Sequence, residues 1–115
     1  MMKKHTYHLT SIAKLTKLDN IINLNGQSTI YLFDKYNYLK NWQIDNADKN
    51  IIHINKKLTD WINNNPTIED AIIIILNHKL NETLAYKSHN YNYTINVSKL
   101  KHTAEANNNI IIIID

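Results

Sequence analysis

The sequence predicts an α+β, or mixed α/β, fold in one domain. Three helices should pack on a sheet of about four to six strands, with the C-terminal isoleucine strand in the interior. Three observations carry that expectation. Several segments repeat their apolar residues at helical spacing. From Tyr91 to Val97, apolar and polar residues alternate strictly, which describes a strand with one dry and one wet face. Finally, Ile110–Ile114 is five consecutive isoleucines, and a strand of that kind must be covered on both faces. At 115 residues and 43% apolar, the chain holds one core rather than two. No linker composition interrupts it, so residues 1–115 read as a single domain with a flexible start at 1–5.

Thr6–Leu9 is a candidate short strand. A helix is expected over Ser11–Leu24, where Ile12, Leu15, Leu18 and Ile22 fall on one stripe, Ser11 caps the start and Asn25-Gly26 closes the end. The β-branched and aromatic run Thr29–Phe33 reads as a strand. In Tyr36–Ile44, Tyr36, Tyr38, Trp42 and Ile44 all fall on even positions, which fits an antiparallel partner strand or a short helical turn. Ile51, Ile54, Leu58 and Trp61 then mark a second helix from Asn46, stopped by Asn63–Pro66. Thr67 with Asp70 resembles a capping box, and Ile68, Ala71, Ile72, Ile75, Leu76 and Leu80 extend it into a third helix. Thr83–Lys87 should pair with the alternating strand as a hairpin, turning through Lys87–Asn90. His102–Asn109 reads as a loop or one helical turn before the isoleucine strand, which would lie parallel to a neighbour or antiparallel to it.

Composition narrows the chemistry. Twenty Ile, nineteen Asn and thirteen Lys share AT-only codons, which points to a low-GC genome, and there is no Arg. Without guanidinium forks, sequence-specific reading of guanine edges is disfavoured. The net charge of +3 is spread along the chain, except that Met1–Lys17 holds four Lys, two His and no acid. That basic arm would attract polyanions weakly and in a salt-sensitive way. No cysteine is present to build a disulfide or zinc framework. No apolar run reaches the roughly 18 residues that cross a bilayer, and the basic start lacks the apolar stretch of a secretory signal. A cytoplasmic protein is expected.

The six histidines, His5, His8, His53, His78, His89 and His102, lack the spacing of a metal site, so neither metal nor cofactor is expected. His78 reads as a helix C-terminal residue. The four serines lack a nucleophile elbow, and Gly26 alone cannot form a phosphate-cradling loop. Glu69 and Asp70 read as helix capping rather than an acid/base pair. Three sequons begin at Asn81, Asn92 and Asn96, where chance in so asparagine-rich a chain supplies about two, and they carry no weight. One catalytic reading survives: metal-independent RNA cleavage using Lys87, His89 and Tyr91, with His78 nearby.

The remaining signal is a mixed aromatic and uncharged polar surface. Tyr36, Tyr38 and Trp42, joined by Tyr31, and the strand face Asn90, Asn92, Thr94, Asn96 and Ser98 combine large area with adaptable hydrogen bonding. The expected function is therefore protein binding. The chain would act by steric occlusion of a partner such as a toxin or effector enzyme, as an immunity, antitoxin or phage-type inhibitor does. A small ribonuclease toxin and a nonspecific nucleic-acid binder acting through the basic arm are the alternatives.

Overall fold

A computed structural model describes residues 4–9, 15–26, 28–76, 102, 104 and 106–114. Its centre is a five-stranded sheet. β1 (Thr6–Leu9), β2 (Ile30–Phe33), β3 (Ile51–His53), β4 (Ile72–Leu76) and β5 (Ile110–Ile114) lie in the order β1-β5-β4-β2-β3, every neighbouring pair parallel. The chain is thus a mixed α/β protein with a parallel sheet.

In such a sheet both faces must be covered, and alternate side chains supply two cores. On the first face Leu9, Ile30, Leu32, Ile72, Ile74, Ile110, Ile112 and Ile114 pack beneath α1 (Leu15–Leu24) and α2 (Lys40–Asp45). On the second, Phe33, Ile73, Ile75, Ile111 and Ile113 pack beneath Trp61 of α3 (Leu58–Asn64) and Ala104. Connections running from β1 toward β3 cross on the first face. The returning connections, α3 and the described part of the β4–β5 segment, lie on the second. That is a single hand throughout, as the right-handed crossover rule requires.

With one glycine in the chain, asparagine and aspartate do what glycine usually does. Gly26 follows α1 at φ +72°, but the other left-handed residues described are Asn37, Asp70 and Asn108. Asparagine also ends the helices. Asn25, Asn46 and Asn65 each donate their amide to the carbonyl four residues back, on Ile21, Trp42 and Trp61, at 2.7, 2.7 and 2.8 Å.

Several expectations are corrected. Of the foreseen helices, the first stands from Leu15 onward, while Ser11 lies outside the described residues. The second is strand β3 in its first half and α3 in its last, because Ile51 faces the first core and Ile54, Leu58 and Trp61 face the second. The third is not a helix: Ile72–Leu76 is a central strand, and Asp70 takes φ +54°, which a helix cannot accommodate. Of the two readings of 36–44, the helical one is found: turn residues run into α2, and the strand is the one corrected. Ile110–Ile114 is interior as expected, parallel to both neighbours and wholly buried. The hairpin 83–98 lies outside the described residues, as does His78. Among the described residues, no helix is long and apolar enough to cross a membrane.

Candidate functional site

In open parallel sheets, ligands bind where the chain leaves neighbouring strands toward opposite faces, at the strands' C-terminal ends. Here β2 exits to α2 on the first face, and β3, its sheet neighbour, exits to α3 on the second. A cavity of about 460 Å³ lies at that divergence, lined by residues 33–35 after β2, 54–58 after β3 and 75–76 at the end of β4. Its floor is apolar, from Phe33, Ile54, Leu58, Ile75 and Leu76. Its rim is Lys35, Asn55, Lys56 and Lys57, all exposed.

Asp34 fixes the first of these loops. It is 1% exposed, and its two carboxyl oxygens accept the backbone N–H groups of Tyr38 (3.0 Å) and Leu39 (2.7 Å). Its carbonyl accepts from Asn37 N–H at 3.1 Å and from His53 Nε2 at 2.8 Å. Because a carbonyl only accepts, Nε2 of His53 carries the proton. His53 thereby ties edge strand β3 to the end of β2. Asp34 is committed to holding the loop, so the lysines around the cavity face no exposed acid on its lining.

Charge is segregated along the strand direction. Among the described residues, the C-terminal end of the sheet presents Lys35, Lys40, Lys56 and Lys57, with Asp60 in the first turn of α3 as the exposed acid nearby. Around the opposite end lie Asp45, Asp48, Glu69 and Asp70, against Lys4 and Lys49. A second hollow of about 450 Å³ sits at that opposite end, lined in part by Asn23, Thr29, Asp48, Lys49 and Asn50. No connections diverge from strand C-termini there, and its lysine sits beside an aspartate.

The sequence-predicted surface is divided. Tyr36 and Tyr38 lie on the loop after β2, 57% and 40% exposed, with ring centroids 6.1 Å apart and planes at 63°. Lys35 Nζ stands 5.6 Å from the Tyr36 ring centroid. Trp42, expected beside them, is a core residue instead. It is 4% exposed, and its Nε1–H donates to Asp19 Oδ1 at 2.8 Å, joining α2 to α1. Tyr31 packs on Trp61 at 5.1 Å beneath α3. Asn90, Asn92, Thr94, Asn96 and Ser98 lie outside the described residues, as do Lys87, His89 and Tyr91 of the ribonuclease reading. His8 is an exposed residue of β1, and His5 precedes it, its Nδ1–H donating to Asn109 O at 3.0 Å. Among the described residues, no three His, Asp or Glu side chains group to hold a metal ion.

In the sequence, Lys56 and Lys57 fall within the stretch expected to form the second helix, and Lys35 lies just past the strand Thr29–Phe33, with nothing to join them. Their convergence depends on β2 and β3 being neighbours. The chain matches no protein-family model, no curated protein and no solved structure.

Proposed function

We propose that the protein binds a small anionic ligand, phosphate-bearing or carboxylate, in the cavity at the C-terminal ends of β2, β3 and β4. The observation that carries this reading is the convergence of Lys35, Lys56 and Lys57 on a cavity whose one acidic lining residue, Asp34, is already engaged with the backbone. Its volume falls within the roughly 300–1,000 Å³ of small-molecule sites. Lysine ammonium groups act as point charges on an anion and need no fixed fork geometry. Exposed charges of this kind give modest, salt-dependent affinity.

Titration with inorganic phosphate at low ionic strength, followed by amide NMR, should shift resonances at 33–35 and 54–58. Replacing both Lys56 and Lys57 by Ala should weaken binding about tenfold. Shifts scattered over the surface, or confined to the hollow near Lys49, would reject the assignment.

The exposed tyrosine pair favours a second reading, in which the loop carrying Tyr36 and Tyr38 docks on a protein partner and occludes it, as an immunity protein or antitoxin does. Under that reading, a partner recovered at one-to-one ratio from the native cell is lost when both tyrosines are replaced by Ala, and persists in high salt.

A further inference from the structure

We infer that the ligand of this cavity is a small amphiphile, an anionic head on an aliphatic chain, with the head held by Lys56 and Lys57 and the chain laid on the apolar floor. This rests on the anion-pocket reading and names its ligand class. The floor joins both cores at the end of the sheet. Phe33, Ile54, Leu58 and Ile75 belong to the second-face core, whereas Leu76 packs with the first. Phe33 and Ile75 are buried beneath the cavity, but Ile54, Leu58 and Leu76 are only half-buried and line it with apolar surface. Covering such surface is favourable in proportion to its area, and a hydrated inorganic anion covers none of it. A polar body, such as a sugar, would strand its hydroxyls on that floor, so an aliphatic chain fits it best. The donors free for the head are consecutive. Asn55, Lys56 and Lys57 are exposed on the rim and make no side-chain hydrogen bond or ion pair among the described residues. Lys35 is drawn off toward the Tyr36 ring, its ammonium 5.6 Å from the centroid, so the head rests on the pair after β3. Ile54 and Leu58 flank these three residues in the chain, which sets apolar wall beside the cationic rim on both sides. Lysine ammonium groups, as point charges, accept a carboxylate or a phosphate head alike.

Amide NMR titration of the whole chain with a homologous series tests this: acetate, butanoate, hexanoate and octanoate, beside hexyl phosphate and hexanol. Affinity should climb by up to about fourfold for each methylene added, until the floor is covered, with shifts at 54–58 and 75–76. Hexanol, which has the chain without the charge, should bind about tenfold more weakly than hexanoate. Leu58→Ala should flatten the climb while leaving acetate binding unchanged. The Lys56→Ala, Lys57→Ala double variant should weaken every anion by a similar factor and keep the climb. The series on the parent chain decides the matter even where Leu58→Ala does not fold. The tighter of hexanoate and hexyl phosphate identifies the head group. Affinity independent of chain length, or a climb whose shifts fall elsewhere while those of acetate stay at 54–58, overturns the amphiphile and leaves the anion pocket standing. Hexanol binding as tightly as hexanoate, or no binding by any probe, overturns both.

Discussion

The two ends of the sheet are built from similar polar residues and use them in opposite ways. At the N-terminal ends of the strands, Asn109 is 1% exposed and fully engaged. Its Oδ1 accepts from Ala71 N–H and its Nδ2 donates to Ile68 O, each at 3.0 Å, while its N–H reaches Ala104 O at 2.9 Å and its carbonyl accepts from His5. Beside it Asn108 donates to Asp70 Oδ1 at 2.8 Å, and Asp70 N–H meets Asn107 O at 3.1 Å. That end is stitched shut across the loops preceding β1, β4 and β5. At the C-terminal ends, Asp34 and His53 do comparable work, and no ion pair holds Lys56 or Lys57 among the described residues. Polar groups committed to backbone partners stabilise the fold, and those left facing water remain for a ligand. The sheet separates the two roles by a strand's length.

The separation can be tested by substitution, and the largest effect should come from the core that serves both ends. Ile112, wholly buried between β1 and β4, should cost about 3 to 4 kcal/mol when replaced by Ala, read from the urea midpoint. Asn109→Ala strands a buried N–H on Ala71 and unpairs the carbonyl of Ile68. A loss of about 2 to 3 kcal/mol is expected, with phosphate affinity of the folded protein unchanged. If affinity fell with it, the ends would be coupled and the comparison would fail. Asp34→Ala should cost about 1 to 2 kcal/mol and also weaken anion binding, because it releases the loop that carries Lys35 and Tyr36. The Lys56→Ala, Lys57→Ala double variant sits at the far end of the scale. Its stability should lie within about 0.5 kcal/mol of the parent while its phosphate affinity drops.

How much of this was legible in the sequence depended on which physical rule was applied to nearly the same residues. Ile110–Ile114 was placed correctly because five adjacent branched side chains need cover on both faces. Ile72–Leu76 carries the same signal and pairs with it residue for residue, yet helical spacing from Ile68 to Leu80 outweighed it. A run of adjacent isoleucines satisfies any period, so periodicity has no power there, while branching at Cβ does. The stripe Ile51, Ile54, Leu58, Trp61 misled for another reason. Ile54, Leu58 and Trp61 do share a core, but they reach it from a strand end and a separate helix. Even-position alternation put Trp42 with the tyrosines, whereas in α2 it is the one buried residue. The end of α1 was readable at Asn25-Gly26, where Gly26 takes the left-handed backbone, whereas the left-handed turns at Asn37 and Asn108 carried no comparable signal. The lysine-rimmed cavity was not readable at all. It joins Lys35 to residues twenty positions away through a strand pairing that had been read as helix.

The pairing of β1 with β5 joins segments far apart in the sequence. Among the described residues β1 has one neighbour, β5, and Thr6 sits opposite Ile111, more than a hundred residues later. On a ribosome, Tyr7 and Leu9 therefore emerge without the strand they adhere to, and must wait through translation of every other element before docking. Distant pairings of this kind form slowly, because a large loop must close before any contact rewards it. Until then, one edge of β5's future neighbour β4, with its four buried isoleucines, has no partner either, and nascent chains should lean on holding chaperones during that interval.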